Sequence, residues 1–395
     1  MEFDFGEDAV LDLGLEAAQL NFSLVHAKRS AILSKTEQQE SLARLREILV
    51  QEDMVTFARA AVAVLPELKL SPADLAKMEQ NNKDKSKLLE DELKDAEENH
   101  GEIEVMEALL NIANFHYLTD TKAGAMEKYK KVSEMKLIST GQLIDLTLKQ
   151  IILGFFWADY EYIEQCLEEG EKLMEKGGDW ERRNRLKVYR GLYAMMSRDF
   201  KTASENFLSA VATFTCTELC SYSTFIFYTI VTSITQLDRV SFKKNIIDSS
   251  QVRAVYSEID ALPEFVNSLY ETRYRDFFIS IIGIHPKIST DRYISEHTDW
   301  FVRELRILSY SQFLESYKSV TTEMMAYEFG ISEKFLDKEL SRFIASASIQ
   351  AKIDKAGGVV EASKLLNSHM QYQEVMKQGD LLLNKVQLLS RLLGV

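Results

Sequence analysis

Proline is scarce in this chain, with 4 residues in 395, and glycine adds only 16. So few breakers over such a length exclude a turn-rich all-β architecture and favour long helices. Cysteine occurs three times, as Cys166, Cys216 and Cys220. A sparse, odd set makes no disulfide framework and suits a reducing compartment. No apolar run approaches the length of a membrane span, so no transmembrane helix is expected. Positive charge is also in deficit. Lys and Arg number 47 against 61 Asp and Glu, a net charge of −14. An acidic surface repels phosphate backbones, which argues against broad nucleic-acid binding. The opening MEFDFGEDAVLDLG has no basic stretch before an apolar core, so no signal peptide is expected. The Asn21-Phe22-Ser23 sequon is then accidental.

Catalytic signatures are equally thin. His26, His100, His116, His285, His297 and His369 never form H-x-H or H-E-x-x-H, the spacings that bring two imidazoles to one metal. Cys216 and Cys220 lie one helical turn apart, with no second Cys or His pair to complete four ligands, and read as small core residues. The chain lacks G-x-x-x-x-G-K-[ST], G-x-G-x-x-G and G-x-S-x-G. Carboxylate pairs abound, but in an acidic helical chain they signal solvation. No metal, cofactor or catalytic residue is assigned, and an enzyme is not expected.

What the chain does have is helical period. Hydrophobic residues make up 46% of it, enough to fill a large core. Residues 1–70 read as N-terminal amphipathic helices. Residues 71–100 read as a charged linking helix, opened by Ser71-Pro72 and carrying a thin stripe of Leu89, Leu93 and Ala96.

From Gly101 the sequence repeats. Ala113, Ala125 and Tyr129 are offset by 12 and 16, and so are Gly191, Ala203 and Phe207. Gly154 and Cys166 keep the offset of 12, with Gly170 in place of an aromatic. Small residues at the first two positions let paired helices approach, and the aromatic fills the groove beyond, as in tetratricopeptide-type repeats. Residues 101–300 are therefore predicted to be helical repeats. Within them Asp179 caps a helix, Trp180 can staple it, and Arg182, Arg183, Arg185, Lys187 and Arg190 form the densest basic face. That face could meet an acidic partner or the chain's own acidic helices.

Residues 301–365 change character. After a helix at 300–317, Thr321 or Thr322 caps a short helix that Gly330 ends, and Ser332 caps the next. Leu336, Leu340 and Phe343 make that second helix's buried stripe. Ile349, Ala351 and Ile353 then alternate with polar residues, Gly357-Gly358 turns the chain, and Val359-Val360 begins a partner strand. A helix-turn-helix followed by a β-hairpin is a winged helix. Over residues 331–360, Lys334, Lys338, Arg342, Lys352 and Lys355 nearly balance Glu333, Asp337, Glu339 and Asp354. That balance is poor for a DNA reader and fits a protein-binding winged helix better. In the last segment, 366–395, Val375, Leu382, Val386, Leu389 and Leu393 are spaced 7, 4, 3 and 4, a coiled-coil-like seam that calls for another chain.

Several stretches are similar to known proteins: DELKDAEENHGE (91–102), GGDWERRNRLKVYRGLYAMMSRDFKTASENFL (177–208), ELRILSYSQFLESYKSVT (304–321), DKELSRFIASASIQAKIDKAGGVVE (337–361) and KQGDLLLNKVQLLSRLL (377–393). Together they resemble the PCI family, and within it subunits of the proteasome regulatory-particle lid. The similarity runs from about residue 65 onward. The resemblance implies a mainly α chain: a TPR-like right-handed solenoid, a winged-helix PCI module and a C-terminal helix. It implies a non-catalytic scaffold of the cytoplasm and nucleus whose partners are other PCI subunits, with the proteasome ATPase ring as a further contact. Ile349, Lys352, Ile353, Val359 and Val360 would pair with neighbouring PCI sheets. Val375, Leu382, Val386, Leu389 and Leu393 would enter a bundle of C-terminal helices. A COP9 signalosome PCI scaffold is the alternative, with RRNRLKVY favouring the proteasome version. A nucleic-acid-binding PCI protein acting through Lys334, Lys338 and Arg342 is a third reading.

Overall fold

The computed structural model describes residues 11–30, 34–68, 70–99, 101–133, 139–256, 258–259, 261–362 and 366–393. The chain divides into two compact units: Met1–Val266 with Ile281–Asp299, and Asn267–Ser280 with Trp300–Val395.

The first unit begins with α1 (Leu13–Ser30), α2 (Lys35–Gln51), α3 (Val55–Val64) and the 28-residue α4 (Pro72–Asn99). Then come α5 (Glu102–Thr119), α6 (Lys122–Ser133), α7 (Thr140–Trp157), α8 (Tyr160–Gly177), α9 (Trp180–Met196) and α10 (Phe200–Ala210). These six pack as consecutive antiparallel pairs, α5 with α6, α7 with α8, and α9 with α10, each pair against the next. After them stand α11 (Tyr222–Gln236), α12 (Arg239–Phe242), α13 (Ser250–Val255), and parts of α14 (Leu262–Tyr270) and α15 (Tyr274–Thr290), whose residues 267–270 and 274–280 belong to the second unit.

The repeat residues sit where pairs close. Ala113, Ala125 and Tyr129 are buried, and the Tyr129 hydroxyl donates to Asn114 Oδ1 at 3.0 Å. A Cβ on Gly154 would meet Ile163 of α8 at 2.6 Å, so α7 and α8 approach at a distance only glycine permits there. Gly170, where the pattern lacked its aromatic, instead admits Leu186 of the following pair. The helix starts follow the capping chemistry. Ser139 and Gln142 form a reciprocal capping box, and Asp159, Asp179, Asp199 and Ser221 each accept a backbone N–H of the helix they precede. Trp180 does not staple α9: its ring is 64% exposed.

The charged α4 is anchored by contacts its periodicity did not predict. The buried Asp53, at φ 51 in the α2–α3 turn, pairs with Lys85 at 2.9 Å, and Asn82 donates to its carbonyl at 2.8 Å. Leu89 and Leu93 are half-buried and Ala96 is buried. At the other end of the unit, α1 is tied down over long range. Its N-cap Asp12 accepts from Tyr117 Oη at 2.7 Å, while Gln19 and Ser23 both donate to the Thr290 carbonyl.

The second unit contains α16 (Thr298–Glu315, from Trp300), β1 (Ser319–Thr321), α17 (Thr322–Phe329), α18 (Glu333–Ala345), β2 (Ala351–Asp354), β3 (Val359–Ala362) and α19 (Leu366–Leu393). Thr321 caps α17 through the Met324 N–H, and Gly330, at φ 66, ends it. Tyr274, Tyr310, Phe313, Phe329, Leu336, Leu340 and Phe343 form one core, with the Phe329 ring 4.8 Å from both Tyr274 and Tyr310. The strands form an antiparallel sheet in the order β1-β3-β2, with Val360 opposite Val320 on one side and Ile353 on the other. This is the winged helix, with a third strand that the sequence reading did not contain.

Candidate interaction surfaces

The residues singled out for strand pairing fall into three situations. Ile349 precedes β2 and lies in the winged-helix core, 4% exposed, its N–H bonded to the Phe343 carbonyl. Val359 and Val360 belong to β3, the central strand, whose backbone is engaged by β1 and β2 on its two sides. An edge role for Val359 and Val360 is therefore corrected: a strand paired on both sides has no donors or acceptors left to offer. Lys352 and Ile353 lie on β2, one outer edge of the sheet, with β1 forming the opposite edge. Lys352 is exposed and Ile353 half-buried. The sequence reading missed β1 because three residues are too few to show alternation, though Val320 flanked by Ser319 and Thr321 carries its trace.

The C-terminal seam is laid bare. Val375 is 66% exposed, Leu382 66%, Val386 56% and Leu389 57%, and Leu381, Leu388 and Leu392 are exposed too. The side chain of Leu393 lies outside the described residues. Burying one such side chain contributes roughly 1.5–3 kcal/mol. A helix whose described apolar side chains forgo this within their own chain has the composition of a buried element without the cover.

The basic face of α9 is largely consumed within the first unit. Arg182 makes a two-pronged pair with Asp145, its Nε and Nη2 at 2.9 and 2.8 Å. Arg185 pairs with Glu218 at 2.6 Å, where Tyr189 Oη also donates, and Arg190 pairs with Glu171. Sequence had left an acidic partner and internal pairing open; three of the five cations are internally paired. Arg183 and Lys187 line a groove with Met174, Glu175, Leu186 and Asn206.

The winged helix holds its charges unevenly. Glu339 is buried, paired with Arg306 and accepting from Tyr310 Oη at 2.9 Å. Asp337 pairs with Lys355 at 3.2 Å, Glu333 accepts from Thr322 Oγ1 at 2.7 Å, and Asp354 accepts from the Ala356 N–H. Lys334, Lys338 and Arg342 stay exposed.

Groups able to do chemistry are placed as structural members. Burial pushes the Cys166 and Cys216 thiols up to about 12, and it raises Cys220 as well, so thiolate is disfavoured at all three. Desolvation lowers the His116 pKa, with Asp120 3.2 Å away. His297 Nε2 bonds the Met196 carbonyl and His285 Nδ1 the Ser289 hydroxyl. His100 and the side chain of His369 lie outside the described residues. Among the described residues, no group of three His, Cys, Asp or Glu side chains could hold a metal ion, and no helix is long and apolar enough to cross a membrane.

Three family profiles match in succession. One described as 26S proteasome subunit RPN7 matches residues 72–245, a PCI domain profile matches 275–364, and one described as the 26S proteasome regulatory subunit RPN7/PSMD6 C-terminal helix matches 371–392. The chain is 45% identical over 328 residues to the 26S proteasome non-ATPase regulatory subunit 6 homolog of Arabidopsis thaliana, covering 83% of this chain and 84% of that protein. It is 34% identical over 387 residues to the 26S proteasome non-ATPase regulatory subunit 6 of Caenorhabditis elegans, covering 96% and 93%. Similarity to COP9 signalosome complex subunit 1 of Arabidopsis thaliana is far lower, 20% over 272 residues, covering 68% and 61%.

Proposed function

This chain belongs to the 26S proteasome non-ATPase regulatory subunit 6 (RPN7) family, and from that premise we propose that it is a non-catalytic structural subunit of the proteasome regulatory-particle lid, organising lid assembly for ubiquitin-dependent degradation. The observation that carries the reading is the bare apolar seam of α19. Val375, Leu382, Val386 and Leu389 present knobs at coiled-coil spacing with no cover from their own chain. Their role is to enter a bundle with the C-terminal helices of other PCI subunits, together with Leu393. The outer edge of β2, at Lys352 and Ile353, is the site of sheet-to-sheet pairing with a PCI neighbour, since an edge strand's unpaired backbone groups are a template for another strand. Ile349, Val359 and Val360 hold that edge in place from within. The partners are lid PCI subunits, with the ATPase ring as a further contact, in the cytoplasm and nucleus. The helices before residue 71, the charged α4, the repeats, the winged helix and α19 are five working segments of this scaffold.

The reading is tested by replacing Leu382→Asp together with Leu389→Asp in the full-length chain. Both positions are exposed, so urea stability is expected to stay within about 0.5 kcal/mol of the parent. Affinity purification of the parent recovers other regulatory-particle subunits, whereas the double variant is recovered free of them. Incorporation of the variant at the parent level would remove the bundle role, and recovery of a signalosome by the parent chain would remove the proteasome assignment.

A further inference from the structure

The winged helix carries a cationic stripe that neither the fold nor the scaffold reading uses. Lys334, Lys338 and Arg342 recur every four residues on α18, so they share one face of the helix, and all three are exposed. Among the described residues none of the three forms an ion pair. The acids of the same segment are all engaged elsewhere. Glu333 is bound to Thr322, Asp337 to Lys355, and Glu339 is buried beneath Arg306 and Tyr310. A segment that is nearly neutral by count thus sets three exposed cations side by side on one helix face. Beside the stripe the Phe335 ring is 42% exposed, with the Arg306 guanidinium 5.7 Å from its centroid. This gives an apolar anchor next to the cations.

We propose that this face of α18 docks an acidic polypeptide segment of another chain, one that places carboxylates on Lys334, Lys338 and Arg342 and an apolar side chain against Phe335. Charge complementarity selects the sign of the ligand, and two observations select a polypeptide over a nucleic acid. Three cations on a chain of net charge −14 provide little attraction for a long polyanion, whose flanking phosphates meet the acidic remainder of the surface. Of the two wing lysines, Lys355 is already paired with Asp337, which leaves Lys352 alone to supply the wing's charge to a duplex.

The test uses the full-length chain assembled into its complex in cells. Ser341 is exposed on the same face and carries no charge, so Ser341→p-benzoylphenylalanine puts a photo-crosslinker on the stripe with all three cations intact. The expected product is a cross-link to a peptide rich in Asp and Glu, identified by mass spectrometry. Combining it with Lys334→Glu, Lys338→Glu and Arg342→Glu is expected to cut that product at least 10-fold, with thermal melting unchanged because the three positions are exposed. Phe335→Ala, with the charge kept, is expected to cut it about threefold. A complex that assembles but yields no cross-link, a cross-link to a neutral or basic segment, or a yield unmoved by charge reversal overturns the proposal while leaving the scaffold reading intact. A cross-link to nucleic acid overturns it in favour of a nucleic-acid-binding winged helix. Failure of the parent chain to co-purify with regulatory-particle subunits is a separate result, which bears on the scaffold reading alone.

Discussion

The ring of Phe207 occupies the place where Gly191 has no side chain: a Cβ built on Gly191 would stand 2.6 Å from Phe207 Cε1. The two residues belong to α9 and α10, the paired helices of one repeat, and both are buried. Gly191→Ala must push the ring or the helix aside, at a cost of about 1–3 kcal/mol. Better helix propensity returns roughly 1 kcal/mol of that. The expected net loss is about 0–2 kcal/mol in urea unfolding. Trimming the ring in the same chain, Gly191→Ala with Phe207→Leu, should cost less than the sum of the two single changes. Simple additivity would show that the contact does not set the spacing.

In the winged helix, Arg306→Ala strips the cation from Glu339, a carboxylate only 9% exposed. Leaving one member of a buried pair uncompensated costs several kcal/mol, and the partial exposure of Arg306 brings the expected loss to about 2 kcal/mol. Adding Glu339→Gln removes the orphan charge while keeping an acceptor for Tyr310 Oη, so the double variant should be more stable than Arg306→Ala alone. Urea midpoints of the two variants decide this, and a double variant no better than the single one would deny the pairing its importance.

Asp12 offers a test in pH. Burial raises its pKa above the ordinary 3.8, with the nearby Glu218 adding to the rise. A carboxyl raised in the folded state contributes stability that is complete below the unfolded value and is lost as pH climbs through the folded one. Asp12→Asn carries no charge to lose. Its single amide oxygen can still accept from Tyr117 Oη and the Leu15 N–H, which both reach the same Asp12 oxygen. Asn also caps helices about as well as Asp. The melting temperature of the variant relative to the parent should therefore rise as pH climbs above about 4, where the unfolded carboxyl ionises. Parallel melting curves across that range would contradict the burial of this carboxylate.

The thiols give a simpler readout. Cys166, Cys216 and Cys220 are all buried, and burial raises each pKa. A thiol-reactive disulfide reagent at neutral pH should modify the native chain at least 100-fold more slowly than the urea-unfolded one, since reaction needs both thiolate and access. Rapid labelling of any one cysteine in the native chain would refute its placement.

Much of this architecture was legible because it is written locally. The small-residue offsets at 113, 125 and 129 and at 191, 203 and 207 mark helix crossings, and the structure closes pairs at those residues. The turn from Gly330 into α18 was equally plain, since a left-handed cap needs glycine. What stayed hidden depends on partners far along the chain. The anchoring of α4 by Asp53 joins residues 32 apart, and Asp12 meets Tyr117 across 105. Neither leaves a periodic trace. The strand-edge assignment shifted for the same reason: nothing between 349 and 360 reveals that residues near 320 supply the third strand.

The sequence alone determined the helical repeats, the winged helix and the apolar seam of α19, because these follow from period and capping within short windows; the family came from the resemblance of whole stretches to known proteins. Tertiary structure alone decided which strand is central and which lie at the edge. It also showed that Arg182, Arg185 and Arg190 are spent on internal acids, while Lys334, Lys338 and Arg342 are not. The physical reason is that a charge or a backbone donor is available to a partner only after its own fold has failed to use it, and that depends on contacts between residues distant in the chain.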